Sequence, residues 1–132
     1  MESIQTYEHT IFALGAMAVL MLLQVIVSDI IGVVTKHTPG ATLKTDHNNL
    51  LFRTSRTVAN TGDSVSIFLL ATLFCIFSHA SPTYTSYAAW GFVSIRTLYA
   101  LFYYFNFQIL RSVMFGLSLL TLAALLIVGV IA

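Results

Sequence analysis

The sequence has few charged residues. Of its 132 residues, 8% are Asp, Glu, Lys or Arg, whereas a soluble domain ordinarily carries about 25%. Because 58% of the residues are hydrophobic, there are too few polar side chains to cover the surface of a water-soluble globule. We therefore expect lipid to solvate much of the outer surface of a single domain, residues 1–132.

The chain also lacks clustered basic residues and paired cysteines. Its formal net charge is +1, which argues against a nucleic-acid partner, because such an interface needs a concentration of Lys and Arg. The single cysteine, Cys75, cannot form an internal disulfide, and no Cys/His cluster has the spacing of metal ligands. The sequence therefore predicts no nucleic-acid partner and no metal site.

Four long apolar stretches cover most of the chain. About 20 apolar residues in a helix are needed to cross the hydrocarbon core of a bilayer, and the predicted helices span about 8–34, 50–79, 85–106 and 110–132. The last two connections are short, and short connections make antiparallel neighbours. The prediction is an all-α integral membrane protein built as an up-down four-helix bundle.

Basic residues are concentrated at one end of this bundle. The first and third loops and the helix ends beside them carry Lys36, Lys44, Arg53, Arg56 and Arg111. The opposite end has Glu2 and Glu8 but neither Lys nor Arg. By the positive-inside rule, we expect both loops to face the cytoplasm and both termini to lie on the other side of the membrane.

Polar residues of the second predicted helix lie on one face. Arg53, Arg56, Asn60 and Asp63 are three, four and three residues apart, which places them in one narrow stripe. Ionisable groups are costly in lipid and are expected to face the protein interior or water, paired with something. Guanidinium groups suit carboxylates, so the stripe predicts either a site for a zwitterionic peptide or a structural polar seam between helices.

The third predicted helix has a second polar face, and a basic residue opens the fourth. Phe92, Arg96, Tyr99 and Tyr103 recur at spacings of four, three and four. If the second and third helices of one chain or of neighbouring chains face each other, Asp63 and Arg96 pair, and Arg53 and Arg56 remain for an anionic ligand. Arg111 and Ser112 begin the fourth helix, where Arg111 either points at a bound group or anchors the cytoplasmic boundary.

The segment 52–63 resembles the second-helix motif of the MAPEG proteins, the membrane-associated proteins in eicosanoid and glutathione metabolism. The motif has an Arg, an Asn four residues later and an acidic residue three after that, here Arg56, Asn60 and Asp63. The resemblance covers nearly the whole chain, including the Arg with downstream Tyr on the third helix and the Arg-Ser pair of the fourth. One departure is Asp63, where the family usually has Glu.

The resemblance implies a homotrimer that binds glutathione between subunits near the cytoplasmic side. Glutathione contacts would be Arg56, Asn60, Asp63, Arg96 and Tyr103, and the stripe and the third-helix face add Arg53 and Tyr99 to the predicted binding set. Arg111 would stabilise the thiolate and Ser112 would donate a hydrogen bond to the sulfur, which makes these two the predicted catalytic residues.

The reaction expected from the resemblance is glutathione transfer to lipophilic electrophiles or reduction of lipid hydroperoxides, with the substrate entering from the bilayer. The alternative is a non-catalytic MAPEG-like subunit that serves as an accessory or structural part of a larger membrane assembly. A small transporter is disfavoured because charged residues cluster at one end and no helix is broken near its middle.

Overall fold

The computed structural model describes residues 2–132, without the side chain of Ser3, so Met1 lies outside the described residues. Every regular element within them is a helix, which confirms the all-α class. A short helix precedes four long ones: α1 Glu2–Thr6, α2 Glu8–Val34, α3 Leu50–Phe77, α4 Pro82–Tyr104 and α5 Gln108–Val130.

The four long helices pack against one another. α4 packs against α2, α3 and α5, and α3 also packs against α2 and α5. All four contribute to one apolar core, in which the rings of Phe68 and Phe92 stack with centroids 4.5 Å apart. Met17 of α2 and Leu125 of α5 close the same core from the other helices.

Three of the long helices are followed, two residues beyond their last residue, by a residue in the left-handed conformation. Lys36, His79 and Asn106 have φ values of 56°, 57° and 62°, and in each case the next N–H donates to the carbonyl five residues back along the chain. This Schellman-type arrangement satisfies the last carbonyls and stops the helix. It explains why α3 and α4 each end two residues before the position that the apolar pattern suggests.

The beginnings of α3 and α4 are set by capping residues. Asn49 Oδ1 accepts from the Leu51 N–H at 2.9 Å at the start of α3. Ser81 caps α4, and Pro82 occupies its first turn, where proline is favoured because no N–H is needed there. α4 therefore begins three residues before the predicted position.

Within the described residues, three helices are long and apolar enough to cross a membrane by length and composition: α2, α3 and α5. α4, which the apolar pattern also predicts as a crossing, is not among them. The physical reason is that α4 carries Arg96 and several tyrosines and hydroxyl residues, of which it buries Arg96, Tyr99 and Tyr103. The membrane character of the chain thus resides mainly in α2 and α5, which expose most of their aliphatic side chains.

Candidate functional site at the loop end of the helices

A polar cleft of about 270 Å³ lies between α3, α4 and α5 at the end of the molecule that holds the first and third loops. Asn60 of α3, Tyr99 and Tyr103 of α4, and Arg111, Ser112 and Phe115 of α5 line it. Five of these six residues belong to the site predicted from the sequence. The structure therefore brings polar side chains from three helices to one place.

The tyrosines fix the geometry of this cleft. Asn60 Nδ2 donates to the Tyr99 hydroxyl at 2.7 Å, which joins α3 to α4. The Arg111 guanidinium lies over the Tyr103 ring, 4.3 Å from its centroid, and such a cation–π contact holds the charge in place. Tyr99 and Tyr103 meet edge to face at 5.7 Å. Because Tyr99 and Tyr103 are buried, the cleft has a rigid wall on the α4 side.

Arg56 lies outside this cleft, in an adjoining one of about 620 Å³ between the first loop and the beginning of α3. Its lining includes His47, Phe52, Ser55, Arg56 and Tyr103. Tyr103 lines both spaces, so the two clefts meet at this residue. A ligand longer than either cleft would reach Arg56 and Arg111 by passing Tyr103.

Arg53 is committed to the protein backbone. Its Nη1 donates to the His47 carbonyl at 2.8 Å, and its Nε and Nη2 donate to the Tyr104 carbonyl at 3.3 and 3.2 Å. The guanidinium thus ties the first loop to the C-terminal end of α4. In the isolated chain this predicted ligand residue has a structural role.

Arg96 is completely buried in α4. Its Nη2 donates to Thr61 Oγ1 at 3.3 Å, and its guanidinium lies 4.2 Å from the centroid of the Tyr99 ring. Its Nε and Nη1 have no hydrogen-bond partner within the described residues. Arg96 therefore lies behind the cleft wall, in contact with Tyr99, and is not part of the cleft lining.

Asp63 is exposed on α3. Since Arg96 is enclosed and bonded to Thr61, the expected Asp63–Arg96 pair is not formed within the described chain, and that expectation was wrong for a single chain. The reason is the angular position of these residues around α3. Arg53 and Asn60 occupy the inner edge of the polar stripe, whereas Arg56 and Asp63 occupy its exposed edge.

Ser112 is exposed, and its Oγ donates to the Gln108 carbonyl at 3.0 Å, one turn earlier in α5. Serine hydroxyls in helices often donate to the carbonyl four residues back. The hydroxyl must turn away from this carbonyl before it can donate to a bound sulfur.

His47 is a residue that the sequence interpretation missed. Its Nδ1 lies 3.2 Å from Arg111 Nη1, and its ring packs against Phe52 and Tyr103. In the sequence it stands in a polar loop 64 residues before Arg111, and no spacing pattern connects the two. The one sequence signal is that His47 lies two residues before Asn49, the N-cap of α3, which indicates that the backbone of His47 has a defined position.

A comparison with protein families gives a match to the model of the MAPEG family over residues 10–131. The chain belongs to the MAPEG family. No curated protein and no solved structure matched this MAPEG chain. The family includes glutathione transferases and peroxidases as well as non-catalytic members, and its members generally use glutathione.

Proposed function

We propose that this MAPEG protein is an integral membrane enzyme that binds glutathione at the Arg111 cleft and directs its thiol at lipophilic electrophiles or lipid hydroperoxides. The observation that carries the proposal is the convergence of Asn60, Tyr99, Tyr103 and Arg111 from three helices on one cleft. A purely structural seam would not need a cationic group left beside open space.

The residues around the two clefts fit the chemistry of glutathione. Its carboxylates need cationic donors, which Arg56 supplies in the adjoining cleft. Its amides need groups that donate and accept, such as Asn60 and the tyrosine hydroxyls. Its thiol needs a positive charge beside it, which Arg111 supplies. Asp63 is the remaining predicted contact, and its carboxylate suits the ammonium group of glutathione.

Arg111 has the central chemical role in this proposal. A free thiol has a pKa near 8.5, so only a few per cent is thiolate at neutral pH, and the thiolate is the nucleophile. Each unit by which Arg111 lowers the thiol pKa corresponds to about 1.4 kcal/mol of preferential thiolate stabilisation. In transfer, the thiol proton leaves to water and the thiolate forms a carbon–sulfur bond with an electrophile such as an aryl halide, whose carbon–halogen bond breaks to release halide. In hydroperoxide reduction, two glutathiones are oxidised to one disulfide, and the hydroperoxide is reduced to an alcohol and water.

We also propose that the protein is a homotrimer of protomers that each cross the membrane four times. Arg56 and Asp63 are exposed in a single chain, and Asp63 lies 13 residues into α3, about 20 Å along the helix. An ionisable group at that depth is costly against lipid, and a neighbouring α-helical subunit would cover it. Analytical ultracentrifugation in detergent tests this, and a monomeric mass with full glutathione binding would contradict it.

The experiment that tests the enzymatic role is the Arg111→Ala variant, with Lys36→Ala as the matched control for loss of a positive charge at the same end. We expect the thiol pKa of bound glutathione to rise by about one unit or more and kcat to fall at least about tenfold. The dissociation constant for glutathione should change little. Ultraviolet titration of the thiolate and calorimetric binding measure the two effects separately.

Equal losses of thiolate and of glutathione binding in Arg111→Ala would contradict the assigned role and indicate a simple binding or anchoring residue. The competing function, a non-catalytic subunit, is favoured by the separation of Arg56 and Asp63 from the Arg111 cleft in the single chain. Wild-type protein that neither binds glutathione nor conjugates a generic aryl halide would establish that alternative.

A further inference from the structure

His47 is held in a defined position although it belongs to the long first loop. Its carbonyl accepts from Arg53 Nη1 at 2.8 Å. The Asp46 side chain accepts from the Asn48 N–H at 3.0 Å, and the Asp46 carbonyl accepts from the Asn49 N–H at 3.0 Å. These bonds form a turn immediately before α3, so the backbone on both sides of His47 is fixed by hydrogen bonds.

The imidazole ring is fixed as well. It meets the Phe52 ring edge to face at 5.1 Å and lies 6.3 Å from the Tyr103 ring. The Arg111 guanidinium also lies over the Tyr103 ring, 4.3 Å from its centroid. His47 and Tyr103 therefore contact the same guanidinium from two directions, one through a ring nitrogen and the other through a ring face.

The contact between His47 and Arg111 determines the protonation of both nitrogens. An arginine side chain has only donors, so His47 Nδ1 must accept from Arg111 Nη1 across the 3.2 Å that separates them. Nδ1 is then unprotonated and the proton of the neutral ring is on Nε2, an assignment made from the hydrogen-bond partner. One donor of Arg111 is used in this bond, and the others remain for the cleft that Arg111 lines.

We propose that His47 is a positioning residue that holds the Arg111 guanidinium over Tyr103 and so aims its positive charge at the thiol of a ligand in the cleft. This role rests on the proposed function, because it concerns the charge that stabilises the thiolate. A long arginine side chain at the start of α5 has many rotamers, and a fixed acceptor restricts them before the ligand binds.

Three variants distinguish the effect of losing the hydrogen-bond acceptor of His47 from the effect of losing its aromatic ring. His47→Phe keeps an aromatic ring beside Phe52 and Tyr103 but removes the acceptor. His47→Asn places an amide oxygen close to the position of Nδ1 and loses the ring. His37→Phe is the matched control, because His37 lies in the same loop and its Nε2 is hydrogen-bonded to the Ala41 carbonyl at 3.1 Å.

The expected result is a split between catalysis and binding. In His47→Phe the thiolate fraction of bound glutathione and kcat fall about tenfold, whereas the glutathione dissociation constant changes less than about threefold. His47→Asn restores most of the loss, and His37→Phe behaves like the wild type. A thiolate fraction unchanged in His47→Phe, or equal losses in His47→Phe and His47→Asn, would overturn the proposal.

A measurement without glutathione distinguishes this proposal from the proposed function. In protein labelled with ¹⁵N-histidine, we expect His47 to be the neutral Nε2–H form, with an Nδ1 resonance that moves in Arg111→Met. A His47 proton on Nδ1, or no response to Arg111→Met, overturns the positioning role by itself. If the NMR result is as expected but the wild-type protein forms no glutathione thiolate, the proposed function is contradicted. The contact between His47 and Arg111 then exists but has no role in thiolate formation.

Discussion

Arg53 and Arg96 differ in their hydrogen-bond partners, although the sequence places both on polar helix faces. Arg53 uses Nε, Nη1 and Nη2 on two backbone carbonyls. Arg96 has one hydrogen bond, to Thr61, and two nitrogens without a partner within the described residues, yet it is completely buried. A buried charge with incomplete pairing contributes little to stability, because desolvation offsets its attractions.

The two arginines should therefore respond differently to an apolar substitute of similar length. We expect Arg96→Met to leave the free energy of unfolding unchanged within about 1 kcal/mol or to raise it, since two unpartnered buried nitrogens disappear. Arg53→Met should lower the free energy of unfolding by about 1–2 kcal/mol, because the His47 and Tyr104 carbonyls each lose a charged donor. Reversible unfolding by detergent titration measures both variants.

The reverse order of the two effects would contradict this account and would mean that Arg96 has a strong partner in the assembled protein. Glutathione affinity of Arg96→Met adds a second result. A large loss of affinity at unchanged stability would support the contact role that the family resemblance implies for Arg96.

At the scale of helices, α3 and α5 are in close contact where Gly129 meets Phe74. A Cβ atom built on Gly129 would lie 2.6 Å from two carbon atoms of the Phe74 ring and 3.5 Å from Cys75 Sγ. Real Cβ atoms do not tolerate such a distance, so the glycine permits this contact between the two helices. Gly116, in the same helix, has open space around the corresponding position.

Alanine at these two glycines isolates the packing effect, because both substitutions gain similar helix propensity. We expect Gly129→Ala to be less stable than Gly116→Ala by about 1–3 kcal/mol, the usual cost of overpacking. Adding Phe74→Leu to Gly129→Ala should remove part of that difference. Thermal unfolding in detergent provides the comparison, and equal stabilities of the two alanine variants would show that α3 and α5 do not meet as described.

At the scale of the whole molecule, positive charge is unequally distributed between the two ends. Lys36, Lys44, Arg53, Arg56 and Arg111 lie at the loop end together with both clefts. Such an asymmetry sets the orientation of a membrane protein during insertion. With this orientation, the proposed glutathione site would open toward the cytoplasm.

Introduced cysteines test this orientation. The native Cys75 is completely buried, so it should react slowly with a membrane-impermeant maleimide. We expect Gln5→Cys to be labelled on intact cells and Thr42→Cys to be labelled only after the cytoplasmic side is opened, since both positions are exposed at opposite ends. Labelling of Thr42→Cys on intact cells would contradict the orientation, and wild-type protein supplies the background.

Composition and periodicity in the sequence were sufficient for the helical class and the membrane character. Long apolar stretches with few charges permit little else, because lipid cannot satisfy an unpaired backbone. The segment with Arg56, Asn60 and Asp63, together with the resemblance along the rest of the chain, predicted the MAPEG family, and the family match confirms this. These properties depend on residues that are neighbours along the chain, or on one helix face, and local spacing describes such residues well.

Tertiary structure alone decided which polar groups meet. Whether Arg53 binds a carbonyl, whether Arg96 is enclosed, and whether Asp63 is exposed depend on the rotation of α3 and α4 about their axes, which a polar stripe about 80° wide does not determine. The contact of His47 with Arg111 joins a loop to a helix 64 residues later. Such a contact follows from the packing of all four long helices, and no pattern within one segment of the sequence encodes it.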